Sequence, residues 1–272
     1  MVDAIVDYFQ NDLETVVWFD LFSNNQHKAP TREFHWWQNT FQDSIRSIGK
    51  TVMVLAPWNN PVPLTRGWCI WELYSTITTS SEFDVALSHQ SRMEFIHDID
   101  ADPTNAVNNM LSTIDTKNSN CRGAADKEQI HQVIINSIGF IDLNKLFFKT
   151  MSEWILNCYN KKYKNRLTEI GAKHPSTLQS MNNLAIFYFS QGKYDKAEPL
   201  CVDCLALRKS VLGDKHPNTL DSMNNLATLY KDLGKFDRAE PLCVDCLALR
   251  KSLLGDKHPN TLDSMNNLVT LY

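Results

Sequence analysis

No stretch of the 272-residue chain approaches the roughly 20 consecutive apolar residues that a membrane helix needs, so a membrane partner is not expected. The opening Met1-Val-Asp-Ala-Ile-Val-Asp lacks the basic start and apolar centre of a secretion signal. Glycine and proline are scarce, at 9 and 10 residues, which excludes a collagen-like chain. Neither sign of charge dominates: the net charge is −4, and the absence of a basic run argues against nucleic acid as a partner. The phosphate-cradling patterns GxGxxG and GxxxxGK[ST] and the metal-binding HExxH are all missing. What is present is ordinary for a folded protein, with 43% hydrophobic and 21% charged residues. Seven cysteines without an export signal predict reduced thiols and a cytoplasmic location.

The small net charge hides two unlike parts. Residues 1–158 carry 11 Lys and Arg against 19 Asp and Glu, a balance of −8, whereas residues 159–272 carry 16 against 12, a balance of +4. Six of the seven tryptophans precede residue 72. Length allows roughly two domains.

The C-terminal part repeats. His174-Pro175, His216-Pro217 and His258-Pro259 recur every 42 residues, and the blocks starting at His174 and His216 share 32 of 42 positions. A fixed period of about 20–50 residues marks a stacked array, in which each unit buries its apolar face on the next. Each unit holds two helical patterns. In the first, Met223, Leu226, Ala227 and Tyr230 recur on one face. Gly234 breaks the pattern, and a second helix is expected from an N-cap at Asp237, burying Ala239, Leu242, Cys243, Cys246, Leu247 and Leu249.

The string His-Pro-Asn-Thr-Leu-Asp-Ser-Met-Asn-Asn-Leu-Ala-Thr-Leu-Tyr, followed by Gly-Lys-Phe-Asp-Arg-Ala-Glu-Pro-Leu-Cys, resembles the 42-residue tetratricopeptide repeat of kinesin light chains over about residues 160–272. The resemblance implies an all-α tetratricopeptide solenoid whose first helices line a groove for peptide segments of other proteins. It places Asn182, Asn224 and Asn266 in that groove, with Gln179, Asp221 and Asp263 one turn earlier and Lys231 and Asp232 two turns after Asn224. Ile186 and Phe189 stand where the next unit has Thr228 and Lys231, and Thr270 continues the Thr228 position. An amide offers donors and an acceptor, so a row of them can grip a peptide backbone. The bland alternative is that these amides bond neighbouring helices. A kinesin cargo adaptor is a further reading, although the coiled coil that joins a light chain to its heavy chain has no counterpart here.

Cys201-Val-Asp-Cys204 and Cys243-Val-Asp-Cys246 have the spacing of zinc ligands, but each pair falls inside one helical pattern on its apolar side, so core packing is expected and no metal. His174, His216 and His258 read as helix-start residues rather than ligands. The third unit reaches Tyr272 after one helix, which suggests a fragment.

The N-terminal part alternates helix and strand patterns, as in a parallel α/β sheet. Asp3–Gln10 is helical. Thr15–Phe22 is a strand candidate, and a polar loop follows with Asn24, Asn25, Gln26 and Pro30. Phe34–Ile48 is an amphipathic helix with Trp37, Phe41, Ile45 and Ile48 as its stripe. Thr51–Ala56 is an apolar strand, residues 65–78 a helix, and Phe83–Leu87 a short strand. Asp20 and His27 are weak acid–base candidates and are read as loop residues.

Arg66-Gly-Trp-Cys-Ile-Trp-Glu-Leu73 following Val-Leu-Ala-Pro resembles the Trp-Cys-x-x-Glu-Leu segment of Toll/interleukin receptor (TIR) domains, best over residues 13–90. That resemblance implies a flavodoxin-like parallel sheet, self-association, and, in members that hydrolyse NAD, catalysis by the motif's glutamate, here Glu72. The chain departs from the pattern at Arg66 and Trp71. It also has no residues for a first central strand ahead of Asp3–Gln10.

The expected organisation is a TIR-like α/β domain lacking its first strand at 1–100, and a helical connector and cap at 101–173. Repeats follow at 174–215 and 216–257, with a partial one at 258–272. Within the connector, helices are expected from Asp102-Pro103, over Asp126–Ile138 and over Leu143–Tyr159, with a loop around Lys117–Ala124. The favoured function is a cytosolic adaptor that binds peptides in the repeat groove, with no cofactor. The alternative is an NAD hydrolase whose repeats sense a ligand.

Overall fold

The computed structural model describes residues 2–10, 34–121 and 123–271. The expected strand Thr15–Phe22, the loop through Pro30, Asp20 and His27 lie outside the described residues, as does the side chain of Trp37. The chain divides into two compact units, Met1–Ile155 and Leu156–Tyr272.

In the first unit, α1 (Val2–Phe9) is followed by α2 (Phe34–Ile48), β1 (Lys50–Val54), a 3-10 turn (Val62–Thr65), α3 (Gly67–Thr78) and β2 (Glu82–Ala86). The two strands pair in parallel, with Lys50 opposite Glu82 and Val54 opposite Ala86. A parallel pair needs a crossover, and α3 supplies it. Among the described residues the sheet has these two strands, so the α/β pattern read from the sequence is present as a single β-α-β unit. Past β2 the chain is helical: α4 (His89–Ala101), α5 (Pro103–Leu111), α6 (Ala124–Ser137) and α7 (Phe140–Ile170) follow.

The core lies along α3. Ile70, Trp71 and Leu73 are buried, as are Met53, Leu55 and Val85 from the strands and their ends. On α2, Phe41 and Ile45 are buried but Ile48 is exposed. Ile48 departs from the expected stripe because it closes the helix, where Gly49 turns the chain at a φ of 78°. The unit is tied by polar contacts as well. The Tyr8 hydroxyl donates to Asp84 Oδ2 at 2.6 Å, joining α1 to β2. Burial and the neighbouring Asp84 carboxylate both push the Tyr8 phenol up from its usual range. Asp102 caps α5 by accepting from the Asn105 amide at 3.0 Å, with Pro103 in the first turn. Trp58, Phe95 and Trp154 touch in series, the first pair edge to face at 5.1 Å and the second tilted at 5.4 Å between ring centroids.

In the second unit, the end of α7 is followed by α8 (Pro175–Ser190), α9 (Tyr194–Leu212), α10 (Pro217–Asp232), α11 (Phe236–Leu254) and α12 (Pro259–Val269). Each helix packs on the next, so α8 with α9 and α10 with α11 are the two helical hairpins read from the 42-residue period. His174, His216 and His258 are N-caps. Each Nδ1 accepts from the amide two residues on, at 3.1, 3.1 and 3.2 Å, and each precedes a proline whose missing N–H costs nothing there.

The hairpin turn is a Schellman closure. The Lys235 amide donates to the Tyr230 carbonyl at 2.8 Å and the Gly234 amide to Lys231 at 2.9 Å. Gly234 holds a φ of 69°, where a side chain would crowd its own carbonyl, and Gly192 repeats this at 67°. The N-cap expected at Asp237 falls instead on Lys235, with Asp237 in the first turn of α11. The Schellman turn consumes the residues up to Lys235, so the helix starts earlier than the capping preference of Asp suggests.

Candidate functional site

The first helices of the units lie side by side, and one row of asparagines crosses them. Asn225 Nδ2 donates to Asn182 Oδ1 at 3.3 Å, and Asn267 Nδ2 donates to Asn224 Oδ1 at 2.9 Å. The second asparagine of each pair thus reaches back to the first asparagine of the preceding unit. This spends the carbonyl oxygens of Asn182 and Asn224 on the neighbouring helix; among the described residues their amide donors meet no partner, Asn182 being buried and Asn224 half-buried. Asn266, in the last unit, is exposed. Of the two roles weighed from the sequence, the packing role falls on the carbonyl oxygens of Asn182 and Asn224.

Further along the same helices, Lys231 Nζ donates to Thr270 Oγ1 at 3.0 Å, linking α10 to the end of α12. Thr228 returns its hydroxyl proton to the Asn224 carbonyl at 3.0 Å. Ile186 and Phe189 are half-buried on α8, with the Phe189 ring 5.8 Å from Tyr194. Asp232 is exposed. The row thus grades from an apolar end on α8 to a polar end on α12.

Gln179 and Asp221 are less available than the sequence suggests. Gln179 Oε1 accepts from Arg208 at 3.0 Å while its Nε2 donates to Asn183 at 2.8 Å. Asp221 Oδ1 pairs with Arg250 at 2.6 Å. Asp263 occupies the equivalent place on α12 and stays exposed.

The arginines themselves escaped the sequence reading. Arg208 and Arg250 are buried near the ends of the second helices, and each grips the start of the next first helix. Arg208 donates to the Asn218 carbonyl at 2.7 Å and to Ser222 Oγ at 2.8 Å. Arg250 makes the same pair with Asn260 and Ser264 at 2.8 and 3.0 Å, and Arg166 with Ser176 and Ser180 at 2.9 and 2.7 Å. The available signal was their own 42-residue spacing, matched by Ser180, Ser222 and Ser264. Apolar periodicity searches skip charged residues, so the signal went unused.

The cysteines pack. Cys204 Sγ donates to the Leu178 carbonyl and Cys246 Sγ to Leu220, both at 3.5 Å. Burial pushes the Cys201 thiol up to about 12, and burial likewise raises Cys204, Cys243 and Cys246. Zinc takes thiolates, so these environments oppose metal binding. A concavity of about 540 Å³ opens between α9, α10 and α11, with Leu205, Lys209, Leu226, Tyr230 and Pro241 among its lining.

In the first unit, Glu72 sits on the second turn of α3 and is half-buried, and its carbonyl accepts from Thr76 Oγ1 at 2.7 Å. Trp71 points into the core and Arg66 is exposed just ahead of the helix. No helix among the described residues is long and apolar enough to cross a membrane.

The family comparison falls on the second unit. The tetratricopeptide repeat family model matches residues 176–242 and 223–272. No curated protein matches the chain. Among solved structures, a Podosopora anserina protein described as a kinesin light chain with nearly identical TPR-like repeats is similar, in a singly substituted form, at 20% identity. The match covers 68% of this chain and 87% of that one, with a TM-score of 0.44. A second structure with the same description gives 19% identity, 68% and 87% coverage, and a TM-score of 0.43. BtubC (BKLC) from P. vanneervenii is similar at 15% identity, with 87% of this chain and 81% of that one covered and a TM-score of 0.42. With the 42-residue period, the paired helices and the family match in agreement, the C-terminal part of the chain is an array of tetratricopeptide repeats.

Proposed function

We propose that the protein is an adaptor whose repeats, of kinesin light chain type, bind an extended peptide segment of another protein along the shared face of α8, α10 and α12. The observation that carries the reading is the asparagine row. The bonds Asn225 to Asn182 and Asn267 to Asn224 hold the amides in line across three helices, and the donors left over suit peptide carbonyls. Amides that meet the backbone grip a segment regardless of its side chains. Selectivity then comes from the neighbours: Ile186 and Phe189 favour an apolar side chain at one end, and Thr228, Lys231, Asp263 and Thr270 favour polar ones at the other.

The N-terminal unit enters this reading as a TIR-like module that self-associates and brings bound partners together in the cytoplasm. Its support is the Trp68-Cys69-Ile70-Trp71-Glu72 motif on the crossover helix between two parallel strands. The adaptor role requires no cofactor.

Selection of a displayed peptide library on the full chain tests the proposal, followed by titration of one selected peptide. Binding weakened by Asn224→Ala and by Asn266→Ala supports it. Failure to enrich any peptide, or affinity indifferent to both substitutions, overturns it.

A further inference from the structure

Two equivalent tyrosines of the repeats are finished differently. Tyr188 of α8 donates its hydroxyl to Asn160 Oδ1, on α7, at 3.2 Å. The equivalent tyrosine, 42 positions on, is Tyr230 of α10, and the place of Asn160 is taken by Val202 of α9. Valine accepts no hydrogen bond. The Tyr230 hydroxyl therefore has no hydrogen-bond partner among the described residues, although the side chain is only 7% exposed. A tyrosine buried that far ordinarily finds one.

Tyr230 and Val202 both line the concavity of about 540 Å³ between α9, α10 and α11. Small-molecule sites span about 300–1,000 Å³ and are mostly apolar, with a few convergent polar groups. Here Leu205, Leu226 and Leu242 supply apolar surface, and Lys209 and Arg238 outnumber the one lining carboxylate, Asp237. Both cations are loosely engaged elsewhere. Lys209 stands 3.7 Å from Asp214 in a pair open to water, and Arg238 stands 3.6 Å from a Glu198 that already holds Lys235 at 2.6 Å. Leu226 and Tyr230 lie about 200° and 240° around α10 from Asn224, so this surface faces away from the asparagine row.

We propose that the concavity binds an aliphatic monocarboxylate. Its hydrocarbon chain lies along Leu205, Leu226 and Leu242, and its carboxylate accepts from the Tyr230 hydroxyl and the Lys209 ammonium. Charge complementarity selects a carboxylate over an alcohol or an amine, because the free donor and the surplus cations share one lining. The aliphatic walls select a hydrocarbon chain over a peptide, whose N–H groups would be left unsatisfied against them. The proposal is independent of the adaptor reading, since it uses the other face of α10.

Isothermal titration of the full chain with sodium octanoate is the test, and saturable binding is expected. Lys209→Glu should weaken it about tenfold, and Tyr230→Phe, which keeps the ring, about threefold or more. Octan-1-ol, with the same chain and no charge, should bind at least about tenfold more weakly. Val202→Asn gives Tyr230 the acceptor that Tyr188 has in Asn160. It should weaken octanoate about tenfold while the far-ultraviolet circular dichroism stays unchanged. Asn224→Ala should leave octanoate binding as it was. No saturable binding up to about 10 mM overturns the proposal. So does binding indifferent to both Lys209→Glu and Val202→Asn, or binding that Asn224→Ala abolishes. Tighter binding of acetyl-Leu-Glu-amide than of octanoate overturns it in favour of a protein segment.

Discussion

Arg250 and Asp221 meet at 2.6 Å across the α10–α11 hairpin, the arginine nearly sealed from water and the carboxylate half open to it. The pair is lopsided. Arg250 also holds the Asn260 carbonyl and Ser264 Oγ at the start of α12, so one guanidinium staples three consecutive helices. A planar fork can reach all three acceptors, whereas an ammonium cannot.

Arg250→Ala should therefore cost about 2–4 kcal/mol, from lost charge-assisted bonds and from the apolar stem that packs beneath them. Arg250→Lys should recover less than half of it. Asp221→Ala should cost about 1 kcal/mol or less, because a half-exposed carboxylate is screened by water. Urea unfolding followed by circular dichroism measures all three. Equal costs for Arg250→Ala and Asp221→Ala would show that the ion pair, not the staple, carries the stability.

The asparagine row separates packing from binding. Asn224→Ala removes the acceptor of the Asn267 amide and should cost about 0.5–1.5 kcal/mol. Asn266 is exposed, and Asn266→Ala should change stability by no more than about 0.5 kcal/mol. Both should weaken a groove-bound peptide by a similar factor. Isothermal titration beside thermal melts reads the two effects apart.

Gly234→Ala places a methyl group on a left-handed residue that has open space around it, so strain and not a clash sets its cost. A loss of about 1–2 kcal/mol is expected. Gly234→Asn should lose less, since asparagine tolerates this region.

Cys201 gives a pH dependence of known sign. Its folded-state thiol is raised to about 12 by burial, so the folded protein holds that proton more tightly than the unfolded chain does. The stability from this group is complete below the unfolded thiol range near 9, and it falls as the pH climbs from there toward 12. Cys201→Ala should flatten that part of a melting-temperature profile. Alkylation by iodoacetamide at pH 8 should be slow in the folded protein and fast in urea.

Glu72 tests the enzyme alternative. The adaptor reading expects that incubation of the protein with NAD releases no nicotinamide that depends on Glu72. A difference between the parent chain and Glu72→Gln in nicotinamide release, measured by chromatography, would instead assign NAD hydrolysis to the first unit.

The repeated His-Pro pairs, the apolar faces around Met223 and Tyr230 and the break at Gly234 determined the helical hairpins from the sequence alone. Helix starts, turns and apolar periodicity are local, so each is written within a few residues of where it acts. The β-α-β order around Thr51–Ala56 and Phe83–Leu87 was legible for the same reason. Tertiary structure alone decided which atoms are spent. Nothing near Asn182 in the chain announces that its oxygen belongs to Asn225, nor that Arg250 reaches Asp221, 29 positions earlier. Those partners are chosen by how neighbouring helices stack, and a buried polar group must find a partner wherever stacking places one.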